Sequence, residues 1–135
     1  MNQTTIDLIH RYYAAFNQGD MSVFLALLSD DVAHDINQSV REVGRAAFVA
    51  FMQRMNTSYR EQIANLTVFA TADGTRAAAE FTVLGEYLKT DEGLPEARGQ
   101  KYILPAGAFF DIKGGKVARI SNYYNLQDWL RQVGA

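Results

Sequence analysis

Residues 75–88 constrain the fold most strongly, because apolar and polar side chains alternate through the whole segment. Ala77, Ala79, Phe81, Val83, Gly85 and Tyr87 fall on one face, and Arg76, Glu80, Thr82 and Glu86 on the other. Successive side chains of a strand point to opposite sides, so this is a strand with one buried and one open face. Such a strand needs partners, and the flanking sequence supplies them. Asp73-Gly74 is a hairpin turn that tolerates positive φ, and it joins the segment to a strand predicted over 62–70. A polar loop over 90–97, holding Gly93 and Pro95, leads into a long strand over 98–111. Gly114-Gly115 turns that strand into the last one, over 116–124.

The first half has a helical period. Ile6, Ile9, Tyr13 and Phe16 predict a helix over 4–17, with Gly19 as its stop and Asp20 as the cap of a second helix over 21–28. Short strands follow over 32–37 and 40–43. Phe48, Phe51, Met52, Met55 and Tyr59 form the apolar stripe of a third helix over 44–59. The end, 125–133, closes the chain as a short helix with Trp129. Helices followed by hairpins indicate an α+β fold rather than a doubly wound one. Gly85, Gly99 and Gly107 inside strands mark bends. The expectation is one domain over 1–135, a strongly curved mixed or antiparallel sheet whose three N-terminal helices close it into a cone around a pocket. Hydrophobic residues at 48% and charged residues at 21% fit a folded chain and not a disordered one.

Several function classes drop out. The formal net charge is −2 and no basic run exists, so nucleic acid is not an expected partner. No apolar run reaches the roughly 20 residues of a membrane span. The opening MNQTTIDLIH lacks the basic and apolar regions of a secretion signal, so a cytoplasmic protein is expected. Cysteine is absent, which removes disulfides, thiol nucleophiles and thiolate metal sites. With only His10 and His34 as imidazoles, no metal site is expected, and no cofactor is implied. Nucleotide-binding and hydrolase motifs are missing.

Chemistry concentrates in His34-Asp35-Ile36-Asn37-Gln38, where an imidazole, a carboxylate and two amides adjoin in an otherwise apolar strand. If Val32 packs inward, regular pleating sends His34 and Ile36 inward and Asp35 outward. A bulge after His34 reverses this and brings Asp35 in. Either group facing the cavity is a candidate general base, since burial raises a carboxyl pKa and His is already near neutral. The bland alternative is an Asp35 bonded to a turn and a His34 satisfied in the core. Seven Tyr and eight Phe in a short chain are enough to line a pocket that has a polar edge. Tyr13, Tyr59, Tyr87, Tyr102, Asn122 and Tyr124 are its expected polar members, with Asn37 beside them and Phe51 and Met55 supplying apolar wall. Tyr hydroxyls there can donate to a substrate carbonyl or a developing enolate.

The run Tyr12-Tyr13-x-x-Phe16-Asn17-x-Gly19-Asp20, with Phe24, Leu27-Leu28 and Asp30-Asp31-Val32, resembles the opening of the SnoaL-like and ketosteroid-isomerase families of the nuclear-transport-factor-2-like superfamily. Gly44-Arg45 to Phe51 resembles their third helix, and Gly115 to Tyr124 their last strand. The segments HDINQ, DEGLPEARGQ and YYNLQDWL are most similar to ketosteroid-isomerase-related proteins. The resemblance implies Asp35 as the nearest match to the isomerase base, one position early, and Tyr12 or Tyr13 as the supporting Tyr. It places Ala106 where the isomerases keep a protonated Asp donor, and Tyr124 near their pocket Trp. Half of that oxyanion site is therefore missing, and the fold transfers better than steroid isomerisation.

The expected function is cofactor-free general acid–base chemistry beside a carbonyl of a small apolar substrate, as in an isomerase, cyclase or dehydratase. The alternative is a non-catalytic domain that binds a hydrophobic ligand or a partner. Ile103, Phe109 and Leu84 fall on the face opposite the cavity, and an apolar patch of that kind predicts a homodimer, as does the family resemblance.

Overall fold

The computed structural model describes residues 2–36 and 40–134. The elements are α1 (Asn2–Gln18), α2 (Met21–Ala26), β1 (Leu28–Ile36), β2 (Val40–Val43), α3 (Arg45–Ser58), β3 (Tyr59–Ala70), β4 (Arg76–Tyr87), β5 (Gln100–Lys113), β6 (Lys116–Tyr124) and α4 (Leu126–Gly134). All six strands form one sheet in the order β2-β1-β6-β5-β4-β3. Every pairing is antiparallel except that of β1 with β6. This is the α+β cone that the alternation and the helical stripes predict.

The longest pairing is β4 with β5, unbroken from Arg76↔Asp111 to Tyr87↔Gln100. The inner face of β4 carries the buried Ala77, Ala79, Phe81, Val83 and Tyr87, as its alternation requires. Register shifts fall in β3 between Ala64 and Thr67, at β5–β6 between Asp111 and Ile112, and at β1–β6 between Leu28 and Ala33. Each extra residue bends its strand, and Asn65 takes the positive φ of 54° that the β3 bulge needs. Pro105 precedes Ala106, the first β5 residue paired with β6, so its missing N–H falls where one edge of β5 has no strand beside it.

The helices close the concave face. Leu8, Ile9, Tyr12 and Tyr13 of α1 are buried together with Phe24 of α2 and Phe48 and Met52 of α3. The Tyr12 ring lies 4.7 Å from that of Phe24 and 5.5 Å from that of Phe110 on β5. Burying side chains of this size contributes about 1.5–3 kcal/mol each. Polar bonds fix the angle of α1. Thr5 Oγ1 donates to the Gly74 carbonyl at 2.6 Å. The Asn17 amide donates to the Ile63 carbonyl at 3.0 Å and accepts from its N–H at 2.8 Å, acting as a missing partner strand for the sheet edge at β3. At the other end, Trp129 and Val133 bury α4 against the sheet, and the Gln132 amide bonds both the N–H and the carbonyl of Ile103 at 2.9 Å.

Boundaries differ from the sequence reading at two informative places. β1 starts at Leu28 rather than 32, absorbing Ser29-Asp30-Asp31 as a strand that shifts register. β3 starts at Tyr59 rather than 62, because the helix before it ends at Ser58 and the Tyr59 backbone is already extended. Tyr59, Arg60 and Glu61 thereby join the sheet.

Gly85 controls one contact across three strands. Glu61, Gly85 and Tyr102 are register partners on β3, β4 and β5. The Tyr102 ring lies over Gly85 so closely that an added Cβ would stand 2.2 Å from its Cε2 and Cζ. Gly85→Ala is therefore expected to expel the Tyr102 ring and to destabilise the protein by about 1–3 kcal/mol, the usual cost of overpacking. Urea denaturation checks this, and a variant as stable as the parent would contradict the tight packing.

Candidate active site

The curved sheet and helices α1 to α4 enclose a cavity of about 610 Å³. That volume suits a small organic ligand. Phe51 and Met55 from α3, Phe81 and Val83 from β4, Leu104 and Ala106 from β5 and Tyr124 from β6 line it. Tyr13, His34, Tyr59 and Asn122 contribute polar atoms, as do Glu61 and Asp91. Asn37 lies outside the described residues.

His34 faces inward because β1 is regularly pleated around it: Val32 and His34 are buried, and Asp35 between them and Ile36 is turned the other way. The imidazole lies 4.6 Å from the Phe48 ring and 4.5 Å, edge to face, from the Phe51 ring. Its Nδ1 is buried without a hydrogen-bond partner. Burial lowers its pKa below the ordinary His value, against the opposing pull of Glu42 and Asp35. A neutral imidazole with an unused nitrogen at an apolar cavity is a poised proton acceptor. The Tyr13 hydroxyl is buried and unpartnered too, and burial pushes its pKa well up, so it stays a donor. Each unsatisfied group costs about 1–3 kcal/mol unless a ligand supplies its partner.

Asp35 occupies the opposite face, and the expectation that it serves the cavity is corrected. Arg41 on β2 donates from Nε to Oδ1 at 2.6 Å and from Nη2 to Oδ2 at 3.1 Å. Arg119 on β6 donates to Oδ2 at 3.4 Å, and the Ser121 hydroxyl donates to the same oxygen. Arg41 and Ser121 are its register partners on the two flanking strands. Hydrogen bonding to Arg41 is the chief cause that holds the Asp35 carboxyl far below the usual carboxylate range. A carboxylate so strongly held is a poor base; it ties β2, β1 and β6 together.

Two of the expected wall tyrosines also lie outside the cavity. Tyr87 is fully buried, its ring stacked on Tyr59 at 5.4 Å and edge-on to Trp129 at 5.1 Å. Its hydroxyl donates to the Pro95 carbonyl at 2.7 Å and accepts from the Asp91 N–H at 3.0 Å, which fixes the loop after β4. Tyr102 is drawn over Gly85, and its hydroxyl donates to Glu61 Oε2 at 2.5 Å. Tyr59 does line the cavity and donates to Asp91 Oδ2 at 2.9 Å. Burial raises the pKa of Tyr59 and Tyr124, with Asp91 adding to both and Glu61 to Tyr124.

Glu61 is the functional candidate that sequence reasoning missed. It lines the cavity, and burial raises its carboxyl pKa while the Tyr102 bond only partly offsets this. The signal was present: counting back by twos from Ile63 puts Glu61 and Tyr59 on the same inner face. A strand predicted from 62 leaves both residues out, whereas β3 begins at Tyr59.

A six-stranded curved sheet covered by helices around a pocket is the architecture of the nuclear-transport-factor-2-like proteins. The family model for the SnoaL-like domain matches residues 9–120, and the chain belongs to that family. A solved structure from Pseudomonas putida, described as a "putative polyketide cyclase", is 63% identical with a TM-score of 0.94, covering 96% of this chain and 97% of its own. One of the same description from Xanthomonas campestris is 56% identical with a TM-score of 0.94, covering 97% of each chain. A nuclear-transport-factor-2-like protein from Burkholderia xenovorans shares the fold at 17% identity, with a TM-score of 0.77 over 98% of each chain. No curated protein matches the sequence. No described helix is long and apolar enough to cross a membrane, and no described group of His, Asp and Glu could hold a metal.

Removing the Asp35 charge tests its placement. Asp35→Asn is expected to cost about 1–3 kcal/mol, because Arg119 and Ser121 lose an ionic acceptor in a partly buried site. A folded-state pKa below the unfolded one gives stability that is full above the unfolded value of about 4 and is lost as pH falls further. Denaturation at pH 7 and pH 3 reads both effects: the variant's deficit should begin to shrink at the lower pH, and a pH-independent deficit would contradict the ion-pair account.

Proposed function

We propose that the protein is an enzyme that removes a proton beside a carbonyl of a small apolar substrate, in a cyclisation or isomerisation, with His34 as the base. The observation that carries this reading is the buried imidazole that faces the cavity with Nδ1 unpartnered. The Tyr13 hydroxyl, free and uncharged, is the donor for the carbonyl oxygen as negative charge develops there. Phe51, Met55 and Tyr124 shape the apolar wall, and Asn122 supplies a further polar contact. The cyclase description of the relatives from Pseudomonas putida and Xanthomonas campestris supports the same class. The chemistry needs no cofactor.

A base of this kind can be read without knowing the substrate. 5-Nitrobenzisoxazole is a small apolar probe that loses one carbon-bound proton and opens to a coloured phenolate. Turnover should rise with pH through an apparent pKa below the ordinary His value of about 6.5 and level off near neutrality, because the neutral imidazole is the active form. His34→Phe keeps an aromatic ring against Phe48 and Phe51 and removes both nitrogens. It should fold normally by circular dichroism and lose about 10²–10⁴-fold in rate, the usual contribution of a positioned base. Full turnover in this variant would refute the assignment.

We also propose a homodimer through the outer face of the sheet. Ile103 and Phe109 are 62% and 45% exposed there, next to the exposed Leu84 and Phe69. Phe109 meets Tyr123 edge to face at 5.4 Å. α4 leaves this face open, because Trp129 turns to Tyr59, Tyr87 and Tyr102 instead. A two-fold axis lets the patch cover its own copy. Light scattering should give about twice the chain mass of 15.1 kDa, and Phe109→Glu should reduce it to the monomer. A parent protein that is monomeric at high micromolar concentration would end the proposal.

A further inference from the structure

The cavity holds a second titratable group whose surroundings are built and not incidental. Glu61 enters from β3, and three strands separate it in the sheet from His34 on β1. Its position is specified by a row of three residues. Gly85 on β4 leaves room for the Tyr102 ring, and the Tyr102 hydroxyl then reaches over β4 to Glu61 Oε2. Arg60 and Arg54 also line the cavity, but the Arg60 guanidinium pairs with Glu86 at 3.1 Å and that of Arg54 lies over the Phe51 ring. The described ion pairs include none to Glu61, in contrast to Asp35 with its two arginines. The titratable groups facing it are the hydroxyls of Tyr102 from β5 and Tyr124 from β6, with Asp91 of the following loop acting on Tyr124.

We propose that Glu61 is the proton donor of the site: with Tyr102 holding one carboxyl oxygen, the other hands its proton to a substrate carbonyl oxygen that becomes a hydroxyl. The substrate this fits carries two carbonyl groups. His34 takes a proton from the carbon beside the first, and the freed electron pair forms a carbon–carbon bond to the carbon of the second. The second carbonyl oxygen takes the Glu61 proton, leaving a cyclic β-hydroxy ketone, an imidazolium and a carboxylate. The imidazolium loses its proton to water and the carboxylate regains one, so no other reactant is needed. Burial without a cation keeps the Glu61 carboxyl protonated further toward neutral pH than an exposed one. Tyr102 is a positioning residue, since it touches the carboxyl and does not line the cavity.

This assignment rests on His34 as the base, and one diketone separates the two claims. Heptane-2,6-dione closes by such a step to a six-membered ring. Deuterium uptake beside its carbonyls reads proton removal, ring formation reads the whole reaction, and the ¹³C shift of the bound, labelled carbonyl reads hydrogen-bond donation without any turnover. The parent should show exchange, ring closure and a downfield carbonyl shift that disappears as pH rises through the Glu61 titration. In Glu61→Leu ring closure should fall about a hundredfold more than exchange does, the low end of general-acid effects, and the pH-dependent part of the carbonyl shift should be lost. Glu61→Asp should recover part of the closure. Tyr102→Phe removes a bond that favours the charged carboxylate, so its activity should persist to higher pH than the parent's. His34→Phe should lose exchange and keep the carbonyl shift. Absence of exchange in the parent would defeat the base and leave the shift to judge Glu61. A shift absent from the parent, or unchanged in Glu61→Leu, would overturn the donor.

Discussion

Curvature of the single sheet is the constraint on which the rest of this molecule depends. His34 and Glu61 belong to strands four spacings apart, which on a flat sheet would separate them by roughly 19 Å. No small substrate could touch both. Bulges at three register shifts bend the sheet until β1 and β3 face one cavity, and the helices can then close it. The same bend divides the surface into a lined inside and an outside that keeps Ile103 and Phe109 exposed. The proposed proton-transfer groups and the proposed dimer contact thus lie on opposite faces set by the same pleat.

Much of this was legible because a period of two leaves a plain record. The inner residues of β4 and β5, from Phe81 and Val83 to Leu104, follow directly from alternation, and so does the outer row through Ile103 and Phe109. The aromatic stripe of α3 reached Phe51 and Met55 in the same way. Failures fall where the period changes. Tyr59 satisfies the helical stripe of α3, yet its backbone is extended, and that ambiguity hid Glu61 two residues on. Tyr87 and Tyr102 were given the right face and the wrong role, since alternation reports direction and not what else fills the space. The Tyr102 ring is displaced over Gly85, an event set by three strands together and invisible in any one of them.

Asp35 and Glu61 show how environment, not residue type, sets the charge state of a carboxyl. Asp35 and Glu61 are both carboxylates on strands of one sheet. Asp35 meets two guanidinium groups and a hydroxyl, which lock it in the charged state. Glu61 meets one neutral hydroxyl, and its burial favours the protonated state. The family resemblance pointed to Asp35 because it compares positions along the chain. Geometry reverses the choice, because the pleat turns position 35 outward and position 34 inward.

That reversal has a chemical corollary. Ala106 lines the cavity and offers no donor at the position where the family resemblance implies the isomerases' acid. The proposed imidazole base on β1 would put proton removal beside Phe48 and Phe51. The donor then need not stand at position 106. It can come from β3, where Gly85 has cleared the path for Tyr102, and from Tyr13 of α1. On the proposed reading, the half-buried Glu61 of β3 takes the donor's part that Ala106 cannot play, within the same order of strands.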